Sequence, residues 1–403
     1  MTLRRAAIVS PLRTAVGKFG GGLSALTAGQ LGATIIKALV ERSGIDPERV
    51  DDVVFGHGYP SGEAPSIGRW SWLAAGMPQN VPGFQLDRRC GSGLQAIIEA
   101  AMMVQTGAAD VVVAGGAESM SNVEHYSTAL RKGARMGSLE LHDRLTRARL
   151  MSQPIERYGV ITGMIETAEN LARDYGITRE QSDAYAVRSH QRAAAAWREG
   201  KFADEIVPVA VPQKRGEPVI FDRDEGFRED ASLETLGGLK PIEGGVVTAG
   251  NASQQNDAAA ACLVVAEDQL AKLGLEPSGW FVGWAAAGCD PSRMGIGPVG
   301  AVQRLFARTG LGWDDMDLIE INEAFAAQVL ALLKAWEWGE DDSRLDKLNV
   351  NGSGISLGHP IGVTGARIAA TMLNEMRRRD ARYGLETMCI GGGQGLAAIF
   401  ERS

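Results

Sequence analysis

Apolar positions along the chain follow helical spacing in some stretches and form short Val-rich or Ile-rich runs in others. From residue 28, AGQLGATIIKALVERSGIDPERVDDVVFGHG has helical spacing, then a charged turn, then a valine-rich run. This order predicts a helix followed by a short buried strand. Residues 83–120, GFQLDRRCGSGLQAIIEAAMMVQTGAADVVVAGGAESM, predict a strand, a turn of small residues, a helix and a second strand.

The same order of patterns returns in the second half of the chain. Residues 300–328, GAVQRLFARTGLGWDDMDLIEINEAFAAQ, again predict a helix, an acidic turn and a strand. Residues 348–395 repeat the second unit with a longer turn between its strand and its helix. The sequence therefore contains an internal repeat.

Strand–helix–strand units with short connections imply largely parallel sheets covered by helices. We therefore expect an α/β protein with two similar mixed-sheet core domains, related by a pseudo-dyad and packed face to face. The N-terminal core domain is expected at residues 1–122 and 254–277, and the C-terminal core domain at residues 278–403.

The pattern changes between the two repeats, from residue 123 to residue 253. Residues 131–158 are rich in arginine and polar residues, and QKRGEPVIFDRDEGFREDASLETLGG is charged and irregular. A set of long surface loops is one explanation. The helical run ETAENLARDYGITREQSDAYAVRSHQRAAAAWREG favours the other, which is an inserted loop domain.

Composition limits the class of function. The 403 residues carry a net charge of −8 and the pI is near 5.4, which argues against a general nucleic-acid binder. No stretch approaches the ~18 apolar residues of a membrane span, and the apolar run at the N-terminus is too short for a secretory signal. The four cysteines include no C-x-x-C pair, so zinc-finger spacing is absent and no metal site is expected. We expect a cytoplasmic protein.

The segment QLDRRCGSGLQA places Cys90 between two arginines and a Gly-Ser-Gly turn, directly before a predicted helix. The free N–H groups and the dipole of a helix N-terminus stabilise a thiolate, so a lowered pKa is expected for this thiol. Gly91 and Gly93 are expected to let a substrate approach the backbone closely. The alternative is a buried structural cysteine, since most free cysteines are buried.

One histidine has a setting suited to activating a cysteine. His359, in SLGHPIG, lies between Gly358 and Pro360, which fix the backbone on both sides. A histidine held in a rigid loop suits the role of base for a thiol, and the alternative is a structural histidine. His190, by contrast, is expected on the exposed surface of its helix.

Two further residues complete the candidate site. Cys389 precedes IGGGQG, so its thiol could carry a proton while the N–H groups of the turn hold an oxyanion. Asn322, in EINEAFAAQ, could hold a water or a carbonyl, although asparagine is also a common helix cap. Cys90, Asn322, His359 and Cys389 are all predicted to follow strands, whose carboxyl ends are where ligands bind in such folds. We expect these four side chains to converge.

Two motifs of other chemistries overlap these segments. CGSGLQA satisfies the dinucleotide-binding pattern G-x-G-x-x-A, but a cysteine precedes it and no clear acidic ribose ligand follows. GISLG, residues 354–358, satisfies the nucleophile-elbow pattern G-x-S-x-G of hydrolases. In those enzymes the histidine is distant in sequence, whereas here it abuts the motif. Neither pattern explains the cysteine–histidine pair.

Five segments in order, CGSGLQAI, TAGNAS, INEAFAAQ, NGSGISLGHPIG and CIGGGQG, closely resemble the thiolase family of acetyl-CoA acetyltransferases and 3-ketoacyl-CoA thiolases. The resemblance runs along essentially the whole chain. It implies the thiolase-like fold and an enzyme that transfers an acyl group between a cysteine and CoA. It also implies a homodimer or homotetramer and no cofactor, with CoA and acyl-CoA as substrates.

The resemblance also implies roles for individual residues. It makes Cys90 the nucleophile, His359 its base and Cys389 the acid and base for the substrate α-carbon. It implies one oxyanion hole from Asn322 and His359 and another from the N–H groups of Cys90 and Gly391. It assigns CoA contacts to Gly250, Ala252, Ser253 and Arg228, and the acyl pocket to Met164, Met294 and Phe325.

Two positions depart from the short-chain biosynthetic members of the family. Those members carry His-Met-Gly before TAEN, whereas Gly163 occupies the histidine position here. They often have NASGLND, whereas this chain has Gln254 and Gln255 in NASQQND. Both departures affect the substrate cleft and leave the length and shape of the acyl group open.

Two other functions compete with a thiolase. A condensing enzyme of the ketoacyl-synthase kind pairs its cysteine with two histidines or with a histidine and an asparagine, and Cys389 in CIGGGQG argues against it. An inactive thiolase-like lipid carrier would have lost some of the four site residues, and all four are present.

Overall fold

The computed structural model describes residues 3–403 and contains one large mixed sheet covered by helices. The strands are β1 Ala6–Thr14, β2 Gly17–Lys18, β3 Asp52–Gly56, β4 Phe84–Leu86, β5 Val111–Ser119, β6 His125–Tyr126, β7 His142–Asp143, β8 Ile206–Val207, β9 Val209–Val211, β10 Val219–Phe221, β11 Asn256–Ala266, β12 Gly279–Gly288, β13 Leu318–Ile321, β14 Tyr383–Ile390 and β15 Gln394–Arg402.

The helices are α1 Ala28–Ser43, α2 Ile67–Ala74, α3 Ser92–Thr106, α4 Arg144–Leu150, α5 Ile155–Tyr158, α6 Met164–Asp174, α7 Arg179–Arg198, α8 Leu233–Gly237, α9 Glu267–Leu273, α10 Gly297–Thr309, α11 Ala326–Ala335, α12 Gly354–Leu357 and α13 Thr364–Arg379. Short 3₁₀ turns lie between several of them. Within residues 3–403, no helix combines the length and the apolar character needed to cross a bilayer.

The two halves of the sheet have the same strand order. The N-terminal half runs β1-β11-β5-β3, and the C-terminal half runs β12-β15-β14-β13. In each half the first two pairings are antiparallel and the third is parallel. The predicted internal repeat is therefore a structural repeat, and the predicted α/β class with two similar mixed-sheet halves is confirmed.

The halves meet edge to edge as well as through their helices. Strands β1 and β12 pair antiparallel over two residue pairs, Ala7 with Trp280 and Ile8 with Gly279. This pairing joins the two half-sheets into one, a connection that the expected face-to-face packing did not include. One core cluster lies on the face covered by α3 and α13 and draws residues from both halves, while separate clusters fill the outer face of each half.

Helices α3 and α13 approach each other through one glycine on each. A Cβ on Gly93 would lie 2.8 Å from the backbone N of Ala366, and a Cβ on Gly365 would lie 2.3 Å from the backbone N of Leu94. Real Cβ atoms do not approach other atoms so closely, so both positions require glycine. The first turns of α3 and α13 are thereby held in direct backbone contact.

Residues 123–253 connect β5 to β11, which are neighbours in the sheet. Their longest helices, α6 and α7, pack on α11 of the C-terminal half, and α7 also packs on α12. Tyr185 of α7 donates a hydrogen bond to the buried carboxylate of Glu323, 3.0 Å away. The boundaries at residues 123, 254 and 278 stay a prediction.

Candidate active site

A cavity of about 400 Å³ lies between the 123–253 segment and the sequence motifs of both halves. Cys90 and His359 both line it. The two residues come from different halves of the fold, because Cys90 lies just before α3 of the N-terminal half and His359 lies just before α13 of the C-terminal half. The close glycine contact between these helices therefore brings the predicted nucleophile and the predicted base into one cavity.

Cys90 lies in a 3₁₀ turn, Arg89–Gly91, that leads into α3. Burial raises the pKa of its thiol, and the N–H groups of Gly391 and of Cys90 itself, with the nearby charges of Arg89 and Arg149, lower the pKa by less. The expected lowering of this pKa is therefore wrong. The thiol is enclosed, and the N–H groups directed at it do not compensate for the loss of solvent.

The role expected for the glycines beside Cys90 is also wrong. Neither Gly91 nor Gly93 lines the cavity. A Cβ on Gly91 would lie 2.6 Å from Ile390 Cδ1, and Gly93 faces α13. The small residues after Cys90 serve packing between the two halves of the fold, not the approach of a substrate to the backbone.

His359 is buried in the neutral state. Burial lowers the pKa of its imidazole to about 3, with smaller contributions from the charges of Arg367 and Arg149. Its Nδ1 lies 2.7 Å from Thr364 Oγ1, which itself donates to the carbonyl of Pro360. The Thr364 hydroxyl proton is engaged by the Pro360 carbonyl, so the Thr364 oxygen accepts from Nδ1–H of His359. The other ring nitrogen, Nε2, then carries a free lone pair.

Asn322 lies beside this histidine but does not line the cavity. Its Nδ2 is 3.5 Å from both ring nitrogens of His359, at the limit of a hydrogen bond. Its Oδ1 is buried and has no hydrogen-bond partner among the described residues. The structure therefore brings Asn322 and His359 together and leaves the amide oxygen available.

Cys389 is fully buried at the end of β14, behind the cavity wall. Burial raises the pKa of its thiol far above the ordinary value, and proximity to Cys90 and Cys289 adds to the shift. It packs with Met294 and Phe325, which do line the cavity. This thiol is therefore protonated and lies close to Cys90.

Two local predictions about these residues are wrong. Cys389 lies within a strand and not after it, because β14 continues to Ile390 before the chain turns at Gly392 and Gly393, which have positive φ angles. His359 follows the short helix α12 and not a strand. The convergence of the four residues depends on the packing of the two halves, and these local errors do not disturb it.

The three residues predicted for the acyl pocket, Met164, Met294 and Phe325, all line the cavity. Gly163 lines it too, and a Cβ added there would meet no atom within 4 Å. Its φ of 163° is extended backbone that other residues adopt. Neighbouring side chains therefore do not fill the space beside Gly163.

The four residues predicted to contact CoA divide into two pairs. Ala252 and Ser253 line the cavity. Gly250 and Arg228 do not line it, but both are tied to His190, whose Nδ1 accepts from the Arg228 N–H at 3.2 Å and whose ring also bonds to the Gly250 backbone. The structure thus places one pair at the cavity and links the other pair through a histidine.

The prediction that His190 is a helix-surface residue is wrong. Its side chain is buried under the residue 226–250 segment, and burial lowers its pKa to about 4. A histidine in a helix rich in Arg, Gln and Ala resembles a solvent-facing residue in sequence. What covers it comes from a segment about 40 residues away, and no local pattern signals that contact.

Sequence reasoning missed two residues at this site. Thr364 is the hydroxyl that orients His359, and Arg149 of α4 is a charged side chain that lines the cavity. A signal existed for Thr364, because it lies five positions after the histidine in a tight Pro-containing loop. No signal distinguished Arg149 from the other arginines of the same segment.

Comparison with known proteins identifies the family of this fold and site. The family model described as thiolase, N-terminal domain, matches residues 6–268, and the model described as thiolase, C-terminal domain, matches residues 275–402. The chain is 47% identical to an acetyl-CoA acetyltransferase of Chromobacterium violaceum over 98% of this chain and 99% of the relative. It is 45% identical to the beta-ketothiolase BktB of Cupriavidus necator over 99% of each.

Solved structures give the same result. The crystal structure of the Bacillus anthracis acetyl-CoA acetyltransferase matches with a TM-score of 0.94 and 40% identity over 100% of both chains. Human mitochondrial 3-ketoacyl-CoA thiolase in complex with CoA matches with a TM-score of 0.92 and 38% identity over 100% of this chain and 99% of that one. The resemblance inferred from the five sequence motifs is confirmed, and the chain belongs to the thiolase family.

Proposed function

We propose that the protein cleaves 3-ketoacyl-CoA with CoA, or runs the reverse condensation, through an acyl group carried on Cys90. The observation that supports this best is the shared cavity of Cys90 and His359, with the Cys389 thiol directly behind it. A nucleophile, a base and a protonated acid are the three groups that such a reaction needs.

In the first step, Nε2 of His359 takes the Cys90 proton and the sulfur attacks the keto carbon of the substrate. Nε2 is the free ring nitrogen, because Nδ1–H is bonded to Thr364. The N–H groups of Gly391 and Cys90, which face the sulfur, hold the oxyanion that forms on the attacked carbonyl. The C2–C3 bond then breaks, and acetyl-CoA leaves as an enolate.

The enolate oxygen is held by the imidazole of His359 and by a water on Asn322, whose buried Oδ1 has no protein partner among the described residues. The Cys389 thiol gives its proton to the enolate carbon and becomes a thiolate. That thiolate takes the proton of an incoming CoA thiol. The CoA sulfur attacks the acyl group on Cys90, and the released Cys90 thiolate recovers its proton from His359.

The CoA chain is proposed to enter past Ala252 and Ser253, where both residues line the cavity. The Ser253 N–H donates to the Ala324 carbonyl at 2.9 Å, and Ala252 bridges to Phe325, so the 249–255 segment is fixed against the C-terminal half. Arg228 and Gly250, held together by His190, are proposed to lie further along the nucleotide. A solved relative binds CoA, which supports this assignment.

A homodimer or homotetramer in the cytoplasm is also part of the proposal. Strand β4 ends the sheet, and Phe84 on it is 38% exposed. An unpaired edge with an exposed aromatic residue is stabilised by pairing with a second copy. Light scattering at micromolar concentration should give at least twice the 42.8 kDa chain mass, and a monomeric mass would contradict this assignment.

Trapping the acyl intermediate tests the reaction. After brief exposure to a 3-ketoacyl-CoA, mass spectrometry should find the acyl group on Cys90. Cys90→Ala should abolish both directions of the reaction with the fold intact. Cys389→Ser should retain part of the acylation of Cys90 but impair carbon–carbon bond making and breaking. An acyl adduct on Cys389, or wild-type condensation by Cys389→Ser, would sink the assignment of these roles.

A further inference from the structure

The cavity wall is mostly apolar, but Arg149 of helix α4 is part of it. Among the described residues that line the cavity, the ordinarily charged side chains are Arg149 and Glu243. A guanidinium in an apolar cavity costs free energy unless an anion or several acceptors compensate it. Arg149 is half-buried, so water meets part of this cost in the empty cavity, and a bound anion would meet it once a ligand excludes that water.

No carboxylate of the described chain neutralises Arg149. Arg144, on the same helix, forms an ion pair with Glu124, whereas no carboxylate oxygen within residues 3–403 lies within 4.0 Å of the Arg149 guanidinium. Its close neighbour is the Tyr59 hydroxyl, which is buried and neutral, since burial raises the pKa of Tyr59 above its ordinary value. A neutral acceptor orients the guanidinium but leaves its positive charge uncompensated.

Arg149 and Ser253 adjoin two different apolar clusters of the cavity wall. One apolar cluster, around Tyr59, Met120 and Leu145, packs against Ala148 of α4 and Ile361, and Met120 and Ile361 line the cavity. The other cluster contains Ala252, Phe325 and Met294. Arg149 follows Ala148 at the first cluster, whereas the proposed path of CoA runs along the second.

The positive charge is near the reacting groups. Arg149 contributes to the pKa of the Cys90 thiol and to that of the His359 imidazole. Glu243 is exposed and also lines a separate surface pocket with Glu166 and Glu169. A negative group on a bound acyl chain is thus attracted to the α4 side and repelled from the Glu243 side.

We propose that Arg149 binds a carboxylate at the far end of the acyl chain, so that the substrates are 3-ketoacyl-CoA thioesters of dicarboxylic acids. This inference rests on the proposed thiolase reaction and names its substrate class. The Arg149 guanidinium supplies two parallel N–H donors to a carboxylate, which is the geometry that guanidinium groups favour. The open space at Gly163 gives the acyl chain room beside Met164.

The test compares two substrates with six acyl carbons, 3-ketoadipyl-CoA with a terminal carboxylate and 3-ketohexanoyl-CoA without one. The full-length protein is assayed for kcat/KM of thiolysis with each, and the ratio of the two values is the readout. The wild type should favour 3-ketoadipyl-CoA. Arg149→Gln should lower the ratio roughly 10- to 100-fold, the range expected for a lost charged hydrogen bond. Arg149→Lys, which keeps the charge, should retain part of the preference.

The ratio separates this role from two others. If Arg149 acted only on the Cys90 thiol or on the phosphates of CoA, Arg149→Gln would lower kcat/KM equally for both substrates. The ratio of the two values would then stay unchanged. Arg147→Gln, on the same helix but outside the cavity wall, should leave the ratio at its wild-type value.

A wild-type preference for 3-ketohexanoyl-CoA, an unchanged ratio in Arg149→Gln, or an equal fall in Arg147→Gln would overturn the inference while the thiolase reaction stands. A wild type that cleaves neither substrate would instead overturn the proposed function itself.

Discussion

At the scale of single residues, Gly163 sets the width of the cavity next to Met164. An added Cβ would meet nothing within 4 Å, so the wild type should accept 3-ketohexanoyl-CoA at least as well as acetoacetyl-CoA. Gly163→His should fill this space and lower kcat/KM for the longer substrate by about tenfold, because two methylenes then lose roughly 0.8 kcal/mol each of favourable burial. Steady-state thiolysis with both substrates measures the change. A wild type that strongly prefers acetoacetyl-CoA would contradict the prediction.

Thr364 controls which nitrogen of His359 carries the proton. Its hydroxyl accepts from Nδ1–H, so Thr364→Val removes the only side-chain oxygen bonded to that nitrogen in residues 3–403. We expect acyl transfer to Cys90 to slow by roughly fivefold, since a buried hydrogen bond is worth about 1 kcal/mol and Nε2 is no longer held as the acceptor. Single-turnover acylation is the measurement. Thr364→Ser keeps the hydroxyl and should acylate near the wild-type rate, and equal rates in all three proteins would refute the tautomer argument.

Sequence predicted which residues meet at the cavity better than it predicted their surroundings. Cys90, His359 and Cys389 each lie in a motif of a few consecutive residues, so local order was enough to single them out as candidates, and their roles stay a prediction. The raised pKa of Cys90, by contrast, comes from enclosure by residues of both halves. Arg149 could not be separated from Arg144 and Arg147 because the pattern of this helix does not show which of its arginines lines the cavity.

At the scale of elements, the crossing of α3 and α13 positions the two halves of the site. Gly93→Ala would place a Cβ 2.8 Å from the Ala366 nitrogen, so one helix must move. We expect the free energy of unfolding to fall by about 1–3 kcal/mol, the usual cost of overpacking. We also expect slower acylation of Cys90. Urea unfolding and single-turnover acylation measure the two effects.

Gly62→Ala provides the control for this prediction, because a Cβ at Gly62 meets nothing within 4 Å. It should change neither stability nor rate appreciably. If Gly93→Ala behaved like Gly62→Ala in both measurements, the close contact of the two helices would not be what holds the site together.

The order of helices and strands was largely predictable. The errors in the predicted elements near His359 and Cys389 have a common cause. Helices α1, α3, α10 and α13 and the main strands follow the apolar periodicities read from the chain. Helix α12, four residues long before His359, lies in the Gly-rich stretch where no periodicity extends far enough to be detected. The expectation that Cys389 follows its strand is wrong because the glycines after it dominate the local pattern, while β14 continues to Ile390.

At the scale of the whole molecule, His190 links stability to pH. Its pKa is lowered from 6.5 to about 4, so the unfolded chain binds a proton that the folded protein refuses. The stabilising contribution is complete above pH ~6.5 and is lost as the pH falls towards 4. At pH 5 the loss is roughly 2 kcal/mol, from about 1.5 pKa units at 1.36 kcal/mol each.

A comparison of the wild type with a His190 variant at two pH values separates the effect of His190 from that of the other titrating groups. His190→Asn keeps an oxygen that can accept from the Arg228 N–H but has no titrating ring. Denaturant unfolding at pH 7 and pH 5 should show a drop in stability that is smaller by roughly 2 kcal/mol in the variant. Identical drops in the two proteins would mean that His190 does not titrate in this range.

The overall architecture was predictable from the repeat, because two copies of one pattern imply two similar folding units. The edge pairing of β1 with β12 was not, since it spans only two residue pairs and joins segments some 270 positions apart. The 123–253 segment has no repeat partner. Its sequence therefore indicates a change in composition and periodicity but does not indicate which half of the fold its helices pack against.

The contact of α3 with α13 has a consequence for stoichiometry. Two identical half-molecules related by an axis would present the same side chain from both sides, either two thiols or two imidazoles. One thiol facing one imidazole requires two different sequences at equivalent positions. A chain that contains both halves supplies them in a fixed one-to-one ratio, whatever the concentration of protein, so the reactive pair is complete in every folded copy.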